Sequence, residues 1–230
     1  MRGFVIVAAS LGLCAAAFGA ELHLNDKDYL EEQGLSVLVY QNKFHDVFKD
    51  QKLGGVEIIL HGERIATDGE VRLLPAPEQW DAIPHFKERK QGAAPNQLVA
   101  YSGYPEDGVS YRIEVTAEDG GFRIAVQLDQ PLPAKLVGKA GFNLDFLPTS
   151  YFGKSYVFDG DTGIFPRHPG GLMERVADGG AQPDPLARGR HVVLSPEDPM
   201  TRVEVDSDTS DVELYDARTW HRTDGLCCAR

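Results

Sequence analysis

Between Val109 and Thr116 apolar and polar residues alternate one for one. Val109, Tyr111, Ile113 and Val115 fall on one side of an extended chain, and Ser110, Arg112, Glu114 and Thr116 on the other. Successive side chains of a strand point to opposite faces, so this period of two predicts a strand with one face buried. Phe122-Arg-Ile-Ala-Val-Gln-Leu128 repeats the pattern, and Glu118-Asp-Gly-Gly121 between the two runs supplies the residues of a tight hairpin. The same reading predicts strands over residues 35–40, 55–61, 71–74, 98–101, 189–194, 201–206 and 211–215, with Thr67-Asp-Gly-Glu70 as a hairpin turn between the second and third of these. Phe142, Leu144 and Phe146 alternate with Asn143 and Asp145, and Pro148, which has no N–H to donate, ends that ladder. No segment of about ten residues carries a convincing 3.6-residue period, so the pattern predicts an all-β chain, an antiparallel two-sheet sandwich with long loops in one domain.

The segments between strands differ in character. Residues 147–170 hold Tyr151, Phe152, Tyr156, Phe158 and Phe165 among Gly153, Gly160 and Gly163, too apolar for a solvated linker and too broken by glycine for a helix. This stretch is expected to be a structured loop packed on the sandwich. Residues 75–84 form a proline-punctuated loop carrying Trp80, residues 92–96 a second loop, and the polar run 177–185 is expected to be the least structured.

Composition changes the picture at the two ends. The chain opens Met1-Arg2-Gly3, runs apolar to Ala17 and reaches the small residues Ala17 and Gly19, the layout of a secretory signal covering residues 1–19. The run is short for a bilayer of about 30 Å and no second such run follows, so an exported protein, periplasmic or extracellular, is expected rather than a membrane-spanning one. The formal net charge is −12, and removing Arg2, the single charged residue of 1–19, takes it to −13. The longest basic run is Lys87-Glu88-Arg89-Lys90, so nucleic acid is not an expected partner. Of three cysteines, Cys14 belongs to the expected leader, and Cys227 and Cys228 are adjacent, which leaves no disulfide framework. Residues 20–225 are then the sandwich domain, and 226–230 read as a strand cut short.

Few residues suggest chemistry. Glycoside hydrolysis needs two carboxylates facing across a cleft. Asp145, Asp159 and Asp161, close to aromatics, are the first acidic residues to test for it. Trp80, Tyr151, Tyr156 and Trp220 lie in or beside loops, where rings could stack on the apolar faces of sugars, although loop aromatics more often close the end of a core. Asp159-Gly-Asp-Thr-Gly163 and the run 206–211 have alternate acidic residues, as calcium turns do, yet Asp and Gly are also what ordinary turns are made of. No Gly-x-Ser-x-Gly elbow, phosphate-binding glycine loop or His-x-x-x-His pair is present, and His61 and His191 read as strand-face residues. No cofactor and no metal is expected.

Several longer stretches carry a resemblance. Leu24-Asn-Asp-Lys-Asp-Tyr-Leu30, Gly55-Val-Glu-Ile-Ile-Leu-His-Gly-Glu-Arg-Ile-Ala-Thr-Asp-Gly69, Pro77-Glu-Gln-Trp80, Gly138-Lys-Ala-Gly-Phe-Asn-Leu144, Phe152-Gly-Lys-Ser-Tyr156 and Gly163-Ile-Phe-Pro-Arg167 resemble the amino-terminal region of secreted bacterial family-nine glycoside hydrolases. The resemblance implies a β-sandwich that precedes an immunoglobulin-like domain and a helical barrel bearing the catalytic residues. The family's Asp-Ala-Gly-Asp catalytic motif is absent, so no catalytic residue carries over. It therefore implies a non-catalytic accessory module of a polysaccharide-degrading protein, the front part of something longer, whose partners are carbohydrate or a downstream catalytic domain. A free-standing carbohydrate-binding protein and a sugar-active hydrolase or isomerase are the alternatives.

Overall fold

The computed structural model describes residues 6–12, 21–41, 55–73, 82–170, 173–175, 181–208, 210–220 and 226–228. The fold is mostly β, as the alternation requires. In chain order the strands are β1 (Ile6–Gly12), β2 (His23–Leu24), β3 (Leu30–Glu32), β4 (Leu35–Val39), β5 (Val56–Leu60), β6 (Glu63–Leu73), β7 (His85–Gln91), β8 (Gln97–Tyr104), β9 (Val109–Glu118) and β10 (Gly121–Leu128). They continue with β11 (Ala140–Phe146), β12 (Ser155–Phe158), β13 (Asp161–Ile164), β14 (Met173–Arg175), β15 (Ala181–Pro183), β16 (Ala187–Gly189), β17 (His191–Leu194), β18 (Val203–Ser207), β19 (Val212–Asp216) and β20 (Leu226–Cys228). The single α-helical turn among the described residues is α1 (Pro148–Tyr151).

Two antiparallel sheets are built from these. One runs β13-β12-β17-β18-β1-β10-β9-β8-β7, the other β16-β19-β20-β11-β6-β5-β4-β3-β2, and β14 pairs with β15 apart from both. The alternation sets which side chains meet between the sheets. Tyr111, Ile113, Val115, Phe122, Ile124, Val192, Leu194 and Val203 from the first join Val37, Val56, Ile58, Phe142, Leu144, Phe146 and Leu214 from the second in one buried cluster. At about 25 cal/mol per Å² of apolar surface removed from water, this shared interior is the main stabilising term.

Several expectations are corrected by register. Asp68-Gly69 does not turn the chain. The turn lies earlier, at His61-Gly62, and β6 continues through Asp68 as a bulge against β5 and β11. The positive φ that Asp-Gly tolerates is used, at 52° on Asp68, to accommodate an extra residue rather than to reverse direction. His61 accordingly sits in that turn with φ of 51°, not in a strand. The expected loop after Pro148 contains α1 and then the hairpin β12–β13, because Asp159-Gly160 reverses the chain between two short runs. β7 has almost wholly exposed side chains, so it shows no alternation to read, and it lies at the sheet margin with Lys87, Glu88, Arg89 and Lys90 along it. Charge on an outermost strand hinders pairing with another chain.

Both ends of the chain contribute strands. Ile6–Gly12, within the expected leader, lies as β1 between β10 and β18, with Ile6 opposite Gln127 and Gly12 opposite both Gly121 and Glu204. At the other end β20 is hydrogen-bonded to both β11 and β19.

Candidate functional site

The aromatic loop closes one end of the sandwich. Tyr151, brought inward by α1, is fully buried; its ring meets Phe146 edge-on at 5.6 Å and Phe165 at 5.5 Å. Its hydroxyl donates to the Thr201 carbonyl at 3.0 Å. Tyr156, from β12, is also buried, edge-on to Phe158 at 5.9 Å and to Phe165 at 5.1 Å. A Cβ on Gly163, directly across the β12–β13 ladder, would stand 2.2 Å from that ring. Neither tyrosine therefore presents a face on which a sugar could stack; of the two readings of these loop rings, their burial fits the one in which they close the core. Trp80 lies outside the described residues, and Trp220 ends the 3-10 turn Ala217–Trp220. Phe152 is the ring of this loop that keeps exposed surface, 38%, with the Arg218 guanidinium 4.8 Å from its centroid. Arg218 is held in turn by Asp216 at 2.8 Å and by the Pro166 carbonyl at 2.8 Å, which ties the loop to β19.

The three acidic residues are not brought together. Asp145, on β11, is buried in a two-pronged contact with Arg72 of β6 at 2.7 and 3.2 Å. Such a fork matches the planar guanidinium to both carboxylate oxygens. Asp159 and Asp161 belong instead to the β12–β13 hairpin of the other sheet. Asp159 accepts the backbone N–H of His191 at 2.8 Å and of Arg190 at 3.0 and 3.1 Å, and these bonds hold its carboxyl below the usual carboxylate range. Those two N–H groups need a partner. The run 189–194, expected as one strand, breaks at Arg190, where the chain leaves β16 in one sheet and enters β17 in the other, and the Asp159 side chain satisfies the break. Asp161 starts β13 and is exposed.

A cluster that the sequence did not reveal lies on the outer face of β17 and β18. His191 is directly opposite Asp206 in the ladder, and Glu204 follows two residues away on the same face. The ring Nδ1 of His191 is 2.8 Å from Asp206 Oδ1 and its Nε2 is 3.9 Å from Glu204 Oε1. The bond to Asp206, with the neighbouring carboxylates, pushes His191 above the ordinary histidine value. The remaining acids of the 206–211 run are paired with arginines: Asp208 with Arg123 at 2.7 Å and Asp211 with Arg190 at 3.4 Å. The one legible signal was the alternation placing Glu204 and Asp206 on one face; their histidine is distant in sequence and is supplied by strand pairing.

Compared with protein-family models, with curated proteins and with solved structures, the chain matches none.

Proposed function

We propose that the chain is a non-catalytic accessory β-sandwich module of an exported polysaccharide-degrading protein, with glycan contact as a secondary role. The observation that carries the non-catalytic part is the commitment of Asp145 to Arg72 inside the protein. A hydrolytic acid and base must face each other across a cleft with one of them protonated. Here the first carboxylate is buried against a cation, the second caps a backbone break, and the third is on the opposite sheet from the first. The link to polysaccharide degradation rests on the resemblance of the quoted stretches to the leading region of family-nine glycoside hydrolases.

Glycan contact, where it occurs, is assigned to Phe152 beside Arg218 and to the Trp80 loop rather than to Tyr151 or Tyr156. One or two stacked rings supply about 4 kcal/mol, which corresponds to millimolar affinity. The purified chain is expected to release no reducing sugar from cellulose, xylan or mixed-linkage glucan above a denatured control. Release well above that control overturns the reading. In affinity electrophoresis through the same polysaccharides, any retardation is expected to fall in Phe152→Ala and Trp80→Ala.

A further inference from the structure

We propose that His191, Glu204 and Asp206 form a binding site for a divalent first-row transition ion of the zinc type. Direct pairing of His191 with Asp206 puts an imidazole and a carboxylate side by side, and the pleat brings Glu204 to the same face. One ligand atom from each of the three residues lies within 4.8 Å of the others. An imidazole nitrogen with two carboxylate oxygens is a donor set suited to zinc, with further positions left for water.

The ligands are also held in place. The backbone of His191 is fixed to the β12–β13 hairpin on both sides, its N–H donating to Asp159 at 2.8 Å and its carbonyl accepting from the Asp159 N–H at 2.9 Å. The second oxygen of Glu204 accepts from Arg202 at 2.6 Å. Groups that orient the ligands in this way contribute to affinity in metal sites. Charge points the same way: with a neutral imidazole the trio carries two negative charges against the one positive charge of Arg202, which leaves a net negative charge to attract a cation. The site is open to solvent, with His191 and Asp206 side chains 45% and 55% exposed, so an ion can enter without rearrangement of the core. The neighbouring Asp208 and Asp211 are turned to Arg123 and Arg190.

The test uses the full chain without an affinity tag, its cysteines alkylated and metal removed with a chelator, titrated with zinc chloride by calorimetry. One equivalent of zinc is expected to bind, with the His191 ring nitrogen signals shifting in parallel by NMR. His191→Gln and Glu204→Gln are each expected to weaken binding by about ten-fold or more. His23→Gln, a substitution at an exposed histidine of the other sheet, should leave it unchanged. No binding at millimolar zinc, or binding that persists in His191→Gln, overturns the site. Should a variant misfold, the ring signals of the unsubstituted chain decide: if they stay still while zinc binds, the proposal fails.

Discussion

Asp145 and Arg72 show how much rests on single polar side chains. A buried carboxylate without its cation is strongly disfavoured, so Arg72→Met is expected to cost about 3–5 kcal/mol in urea unfolding, and the pair Arg72→Met with Asp145→Leu to recover part of that loss. The buried hydroxyls of Tyr40, Ser102 and Tyr111 present the opposite case. Among the described residues none of the three makes a well-formed hydrogen bond, and burial pushes Tyr40 up to about 12. Tyr111→Phe removes one such group with little change of shape and is expected to alter stability by less than about 1 kcal/mol, against about 2–5 kcal/mol for Ile113→Ala two residues away. Asp198 gives a pH signature. The Lys154 ammonium, 2.7 Å away, and the Met200 N–H hold its carboxyl below the usual carboxylate range. A depressed carboxyl contributes stability above its unfolded pKa and loses it as pH falls through the folded one. Asp198→Asn is therefore expected to lower the thermal midpoint at pH 7, with the gap to the parent chain closing below about pH 3.8.

At the scale of elements, backbone pairing decides what local propensity leaves open. Asp68-Gly69 is suited to a hairpin and also to a bulge, and the pairing of β6 with both β5 and β11 selects the bulge. Gly55 is the partner of that irregularity. It takes φ of 61°, and a Cβ there would lie 2.5 Å from the Gly69 carbonyl oxygen, a backbone atom that cannot swing aside. The left-handed backbone alone costs an ordinary residue about 1–2 kcal/mol. Gly55→Ala is expected to lower the thermal midpoint by more than that term implies, as followed by circular dichroism. The hairpin β12–β13 illustrates a coupled element: it supplies Tyr156 to the interior and Asp159 to the crossing between sheets, so its register matters to both.

For the whole molecule, the position of β1 bears on export. β10 and β18 both run antiparallel to β1, and Arg123 of β10 reaches Asp208 just beyond β18. Cleavage after Gly19, the processing proposed from the leader pattern, would remove β1 and leave two backbone edges facing each other. Unpaired edges are templates for association. The chain 20–230 is expected to self-associate on sizing columns at high concentration more than the full chain does, and a monodisperse monomer at every concentration counts against this. Amino-terminal sequencing of the chain purified from expressing cells, expected to begin at Ala20, checks the processing itself.

The sequence by itself determined the strands that have one wet and one dry face. Val109–Glu118 and Gly121–Leu128 were legible because their alternation is forced by the pleat, and the hairpin between them because Asp119-Gly120 stands where one alternating run ends and the next begins. Uniformly buried β4 and β5 were legible from their Val, Ile and Leu content, whereas β7, exposed along its length, has neither that content nor a period to detect. Tyr151 and Tyr156 could be placed in the aromatic loop from sequence, but whether a ring points to water or to the core depends on what packs over it. Asp145 and Asp159 were visible as acids, whereas their partners, Arg72 for the first and the backbone of Arg190 and His191 for the second, are far along the chain. The trio of His191, Glu204 and Asp206 exists only because β17 pairs with β18 in one register. A shift of one residue in that pairing would send His191 to the other face of the sheet, and what prevents it is the burial of Val192 and Leu194 against Val205 and Val203, a contact between strands.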